Sequence, residues 1–264
     1  MSRIAAAFVA AREEGRAAFI PYLTAGDPDL SATPVLVRAM AAGGADVIEI
    51  GVPFSDPIAD GVVNQRAADR GRRAGATLRA ILDACARLAQ EPLPPLVLFT
   101  YFNPIHRMGV EAFAARAAEA GVAGVLVTDL PPEEGGALRA GLDRLGIDAI
   151  GLMAPTSTPE RRRAIAAAAR GFLYFISRAG VTGARQDLPA ELEGQVRAAR
   201  DAAAGMPIAV GFGIGLPEQA RAVRRFADGF VVGSALVRLI EERGSDPGLP
   251  RELERACRAF REAA

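Results

Sequence analysis

Eight short runs dense in Val, Ile, Leu and Phe recur along the chain, at residues 18–23, 47–52, 96–101, 124–128, 149–153, 172–177, 208–212 and 229–232. Each is too short for a helix and has the length of a strand buried on both faces. Longer stretches between them carry a 3.6-residue apolar period, as in Val110, Phe113, Ala114 and Ala117, where Gly121 suits the left-handed residue that ends a helix. Thr33-Pro34 and Thr158-Pro159 read as helix starts, a hydroxyl cap followed by proline in the first turn. Right-handed crossovers set successive parallel strands side by side until the sheet meets itself. Eight alternations in 264 residues therefore predict an α/β fold, a closed (β/α)8 TIM barrel forming a single domain over residues 1–264. Extra helices are expected at about 2–14, placed to plug the bottom of the barrel, and at about 250–263. An open doubly wound sheet is the alternative. It would carry a dinucleotide fingerprint after an early strand, and the turn Thr24-Ala25-Gly26-Asp27-Pro28 is not one.

Several absences narrow the chemistry. All 31 basic residues are Arg, and they balance 31 acidic ones. No net field is available to draw the chain onto nucleic acid or an anionic membrane, so the expected partner is a small molecule or a protein surface. Without Lys the chain cannot form a Schiff base or anchor pyridoxal phosphate. His106 is the only histidine, which excludes a multi-histidine metal site and makes any Ser-His-Asp triad depend on it; it reads as an exposed loop residue after the third run. Cys85 and Cys257 form no CxxC pair and fall on apolar helical stripes, as small buried residues do. No segment approaches 18 uninterrupted apolar residues and the N-terminal stretch lacks the flanks of a secretion signal, so the expected setting is the cytoplasm.

A barrel builds its site at the C-terminal ends of its strands. Glu49 sits inside the second run, DVIEIGV, between two isoleucines. A carboxylate there is costly unless paired or neutralised, and burial near the barrel mouth would raise its pKa and suit it to proton transfer; a structural carboxylate held by backbone amides fits the strand pattern equally. The loop GVPFSDPIADG at 51–61 is long for a strand-to-helix connection and holds two acids, Asp56 and Asp60. Spacing alone does not choose between them. Gly-rich turns follow the last three runs, GVTG at 180–183, GFGIG at 211–215 and GS at 233–234, where backbone amides can cradle a phosphate; Arg178 and Arg185 flank the first. Tyr22, Phe99, Tyr101, Tyr174 and Phe212 fall at or near strand ends, either lining a pocket for a planar group or filling barrel layers.

Seven blocks give the chain a family resemblance over nearly its full length: PYLTAGDP at 21–28, IEIGVPFSDPIADG at 48–61, YFNPI at 101–105, TDLPPEE at 128–134, APTS at 154–157, SRAGVTGAR at 177–185 and VGFGI at 210–214. It resembles the tryptophan synthase alpha subunit. The resemblance implies a (β/α)8 barrel that cleaves indole-3-glycerol phosphate to indole and glyceraldehyde 3-phosphate and passes indole to a beta subunit in an alpha2-beta2 heterotetramer. It implies no cofactor in this chain, pyridoxal phosphate being expected only in the beta partner. By the same resemblance the catalytic carboxylates are Glu49 and Asp60. Asp60 takes the indole N1–H, while Glu49 gives a proton to C3 and then accepts one from the 3′-hydroxyl. The implied substrate pocket comprises Tyr22, Phe99, Tyr101, Leu126, Tyr174 and Phe212, with Thr182 meeting Asp60 when the sixth loop closes. Gly183, Gly213, Gly233 and Ser234 fall at the phosphate, and Asp56 at the residue that couples to the beta subunit.

The chain departs from the family pattern in places. DGVVNQ replaces the usual DGPTIQ, so that Val62, Val63 and Asn64 stand for Pro, Thr and Ile. Thr128 stands where Pro or Ala is usual, Phe102 for Tyr and Gly215 for Ser. These positions bear on coupling to the partner more than on the reaction. Two other readings share the glycine cradle: a phosphate-binding barrel isomerase, and a regulatory barrel that binds a phosphorylated ligand without turning it over.

Overall fold

The computed structural model of the chain describes residues 1–177, 188–211 and 213–264. Among them the strands are β1 (Ala18–Thr24), β2 (Ile48–Gly51), β3 (Leu96–Thr100), β4 (Val122–Val127), β5 (Asp148–Ala149), β6 (Gly151–Met153), β7 (Leu173–Ile176), β8 (Ile208–Gly211) and β9 (Gly229–Val232). The helices are α1 (Arg3–Glu13), α2 (Ala32–Ala42), α3 (Val62–Arg73), α4 (Leu78–Leu88), α5 (Phe102–Met108), α6 (Val110–Glu119), α7 (Gly136–Arg144), α8 (Pro159–Ala168), α9 (Leu192–Arg200), α10 (Pro217–Val223), α11 (Ser234–Arg243) and α12 (Leu249–Ala263). Every strand pairing is parallel, in the order β5-β4-β3-β2-β1-β9-β8-β7-β6. The result is the TIM barrel expected from the eight runs.

The fifth run is one stave made of two pieces. Residues 148 and 149 pair with β4, Ile150 still donates its N–H to Val125 at 2.9 Å, and from Gly151 onward the chain pairs with β7 instead. Three smaller expectations change. Thr33 caps no helix: α2 starts at Ala32, whose N–H goes to the Asp29 carboxylate at 2.9 Å, while the Thr33 hydroxyl accepts from the Gly26 amide at 2.9 Å. Thr158 does cap α8. His106 is exposed as expected but lies on the short helix α5, its ring 5.7 Å from Phe102.

Because side chains alternate across a strand, each stave divides its residues between two cores. Ile48 and Ile50 face the helices together with Phe19, Leu98, Phe175 and Phe230. Ile20, Tyr22, Val47, Val97, Phe99, Phe172, Tyr174 and Val231 face the barrel axis. Helix α1 closes the lower end with Ile4 and Phe8, the latter ring 5.4 Å from Phe172. Helix α12 stacks Phe260 on Phe19 at 6.0 Å and buries Cys257, while Cys85 is buried under α4.

Two strand-end glycines set the shape of the upper barrel. A methyl built on Gly51 falls 2.1 Å from the Tyr22 hydroxyl oxygen, and one on Gly211 falls 2.1 Å from that of Tyr174. Both tyrosines occupy space that only glycine leaves open. Gly51→Ala is expected to displace the Tyr22 ring at a cost of about 1–3 kcal/mol, the usual price of overpacking, measured as a drop in urea midpoint. An unchanged midpoint would show that the ring has room to swing aside.

Candidate active site

Parity places Glu49 inside the barrel, opposite Tyr22 on β1 and Val97 on β3. It is 1% exposed, and neither carboxyl oxygen has a hydrogen-bond partner among the described residues. A structural carboxylate would be held by amides or a guanidinium; none of the described residues holds this one. Burial alone pushes its pKa from 4.5 up to about 8, so at neutral pH the group is mainly the neutral acid.

Asp60 reaches the same space from the loop at 52–61, which runs from β2 to α3. It is 7% exposed, whereas Asp56 on the same loop lies at the surface, accepting from the Ser55 hydroxyl at 2.5 Å. Tyr101, at the end of β3, pins the loop. Its hydroxyl accepts from the Ala59 amide at 3.0 Å and donates to Asp60 Oδ2 at 2.9 Å, with its ring stacked 4.9 Å from Phe54. Burial raises the Asp60 pKa, and hydrogen bonds from Tyr101 and Asn64 oppose the rise by favouring the anion. The two acids are therefore set apart: one naked and neutral, the other hydrogen-bonded and more readily ionised.

One small cavity collects Tyr22, Glu49, Asp60, Asn64, Phe99 and Tyr174 with Ile214, Val231 and the expected phosphate positions Gly213, Gly233 and Ser234. Tyr22 lies edge-on to Phe99 at 5.7 Å, and Phe99 lies 6.4 Å from Tyr174. Gly213 adopts φ +90, open to glycine, and Gly233 precedes the first turn of α11. The cavity measures about 30 Å³, room for a few waters at most, so a bicyclic ring enters only as the lining side chains move apart. Larger hollows of about 340 Å³, between α7, α8 and the fourth and fifth staves, and about 900 Å³, beside Phe54 and α5, contain no buried acid. The chemistry, rather than the volume, marks the small one.

Of the residues expected at the site, Leu126 is buried in the inner core and Tyr101 stands behind Asp60; neither lines the cavity. Thr182, Gly183, Phe212, Arg178 and Arg185 lie outside the described residues. Asn64 joins the cavity although sequence reading treats it only as a departure from a pattern. The available signal was its place in the first turn of the helix that follows Asp60, where a polar side chain stands for the usual Ile.

A parallel barrel with two differently tuned carboxyls buried at its C-terminal rim is the site of a TIM-barrel enzyme. The sequence profile described as "Tryptophan synthase alpha chain" matches residues 8–264. The chain is 48% identical over 263 residues to the tryptophan synthase alpha chain of Geobacter sulfurreducens, covering 100% of this chain and 99% of that one. It is 45% identical to that of Solibacter usitatus over 261 residues, covering 99% and 97%. Among solved structures, Mycobacterium tuberculosis tryptophan synthase superposes with a TM-score of 0.91 at 38% identity, covering 99% of this chain and 98% of that one. The alpha subunit from Legionella pneumophila gives 0.89 at 34% identity, covering 100% and 98%. The chain belongs to the tryptophan synthase alpha chain family.

Proposed function

We propose that Glu49 and Asp60 carry out the lyase reaction of this family, the retro-aldol cleavage of indole-3-glycerol phosphate to indole and glyceraldehyde 3-phosphate. The observation that carries the assignment is the pair itself: an unpartnered neutral acid and a hydrogen-bonded carboxylate on one cavity.

The bond to be broken joins indole C3 to the glycerol C3′, so the electrons must be received by the heterocycle. Glu49 donates its proton to C3, leaving positive charge that N1 shares. Asp60 accepts the N1–H hydrogen bond and stabilises that charge in a site with little water. Glu49, now a carboxylate, takes the 3′-hydroxyl proton; the C3′ carbonyl forms, the C3–C3′ bond breaks and its electrons restore the C2–C3 double bond. Glu49 ends protonated, ready for another cycle. Gly213, Gly233 and Ser234 receive the phosphate, and the rings of Tyr22, Phe99 and Tyr174 flank the organic portion.

The partner in this reading is a tryptophan synthase beta subunit, in an alpha2-beta2 assembly with pyridoxal phosphate on the beta chain, working in the cytoplasm. Ile58, 79% exposed, and Val62, also exposed, follow Asp56 in the candidate coupling segment and support an apolar contact there. No helix among the described residues is long and apolar enough to cross a membrane. Indole release from indole-3-glycerol phosphate, measured as the beta subunit is titrated in, is the test. Release that rises with the partner is expected; none at any ratio would overturn the reading.

Since Glu49 must begin protonated, kcat/KM is expected to fall as pH rises through about 8. Asp60 must be ionised, which sets the acid limb. Tyr101→Phe removes one of the two hydrogen bonds that favour the Asp60 anion, so that limb should move to higher pH while the basic limb stays in place. A Tyr101→Phe profile superimposable on the wild type would separate the hydroxyl from Asp60 ionisation.

A further inference from the structure

Asn64 occupies the first turn of α3 and is 9% exposed. Its side chain stands beside the Asp60 carboxylate and acts to lower that acid's pKa, favouring the anion. Its carbonyl oxygen Oδ1 is buried with no partner among the described residues, in a cavity otherwise walled by aromatic rings, Ile214, Val231, two glycines, Ser234 and the two acids. The Glu49 carboxyl is unpartnered too, so Asn64 does not serve it. A buried acceptor left unsatisfied is costly, and it recovers that cost when a ligand supplies a donor.

Under the reaction assigned above, the substrate has three such donors: the ring N1–H, the 3′-hydroxyl and the 2′-hydroxyl. Asp60 takes the first and Glu49 the second. We propose that Asn64 is a substrate-positioning residue, its amide orienting Asp60 and its Oδ1 accepting a hydrogen bond from the 2′-hydroxyl. One side chain then ties the ring-binding carboxylate to the glycerol chain and fixes how the C3–C3′ bond lies relative to Glu49. The inference rests on the proposed reaction. An apolar side chain at this position could do neither task.

The test is a cycle of two substrates and two enzymes: indole-3-glycerol phosphate and its 2′-deoxy analogue, with wild type and Asn64→Leu, each in complex with the beta subunit. Asn64→Leu is expected to raise KM for the natural substrate about ten-fold, the size of one lost hydrogen bond, with most of the loss in KM rather than kcat. The wild type should show a similar loss with the deoxy analogue, and the variant should show no further one. Asn64→Ala repeats the cycle without the bulk of leucine. Independent, multiplying losses would overturn the proposal, as would a variant that loses kcat equally on both substrates, which would mark Asn64 as acting through Asp60 alone. A wild type that cleaves neither substrate would instead overturn the assigned reaction.

Discussion

Replacing Glu49 with glutamine is expected to abolish cleavage and strengthen the fold together. Gln keeps the size and neutrality of the buried acid but has no proton to give to C3 and no carboxylate to take one from the 3′-hydroxyl. With both proton transfers gone, kcat is expected to fall about 10³-fold or more. Stability moves the other way. The folded-state pKa of about 8 lies above the 4.5 of an unperturbed carboxyl, so between those values the unfolded chain gives up its proton while the folded chain keeps it. The wild type consequently loses stability as pH rises from about 4.5, and the loss levels off above about 8. At pH 7 the penalty is on the order of 3 kcal/mol, and Gln, which does not titrate, escapes it. Urea melts of the two proteins should therefore diverge as pH is raised from 4 to 8, the variant being the more stable at the upper end. A Glu49→Gln protein that is inactive yet gains nothing at pH 7 would mean that the folded carboxyl is already ionised, and the proton-donor role would fall. A protein with undiminished turnover would make Glu49 structural. Such an inverse relation is the mark of a group kept for chemistry against the preference of the fold.

How much of this is written locally can be judged residue by residue. The eight staves were legible because a strand buried on both faces is a short unbroken apolar run, and the break at Ile150 was hidden because residues 149–153 read as one continuous apolar run, with nothing in it to mark a change of pairing partner. That Glu49 opposes Ile48 and Ile50 was also legible by alternation, but which face turns to the barrel axis was not, because the run is apolar enough to be buried on both faces. Nor was the lack of any partner for Glu49 among the described residues, because amides from neighbouring staves could have met it. The choice between Asp56 and Asp60 depends on Tyr101, 41 residues further along, whose hydroxyl holds the buried acid; no spacing rule within the loop reports it. Only the resemblance had singled out Asp60. Thr33 looks like a helix cap by sequence and is taken by a turn amide instead, because a hydroxyl serves whichever donor the tertiary fold brings to it.

The second large effect is expected from Arg70, far from the reacting atoms. Asp27, in the turn after β1, is 1% exposed and receives two hydrogen bonds from the Arg70 guanidinium, at 2.7 and 2.8 Å. The same guanidinium donates to Glu241 on α11 at 2.8 Å, and Arg66 adds two more bonds to that carboxylate, at 2.7 and 2.6 Å. Arg66 is the chief cause of the Glu241 pKa falling to about 2. This network clamps α3, which begins beside Asp60 and carries Asn64, onto the first and last parts of the barrel. Burial nonetheless outweighs Arg70 at Asp27 and leaves its pKa raised, so the pair survives on geometry rather than surplus attraction. Arg70→Leu would strand a buried carboxyl, at a cost of about 3 kcal/mol, the lower end for a broken buried pair because the guanidinium is partly exposed. The missing cation raises the Asp27 pKa further. The deficit should therefore grow as pH rises past the already raised pKa of Asp27 in the folded wild type and shrink in acid, where the side chain is neutral in both proteins. Asp27→Asn in the Arg70→Leu background should recover part of the loss at pH 7, whereas Arg70→Lys should not restore the wild-type midpoint, because an ammonium cannot match the two-pronged bond. If Arg70→Leu unfolds at the wild-type urea concentration at both pH 4 and pH 7, the clamp contributes nothing, and the position of α3 must be set by the packing of Val63, Ala67 and Ala68 instead.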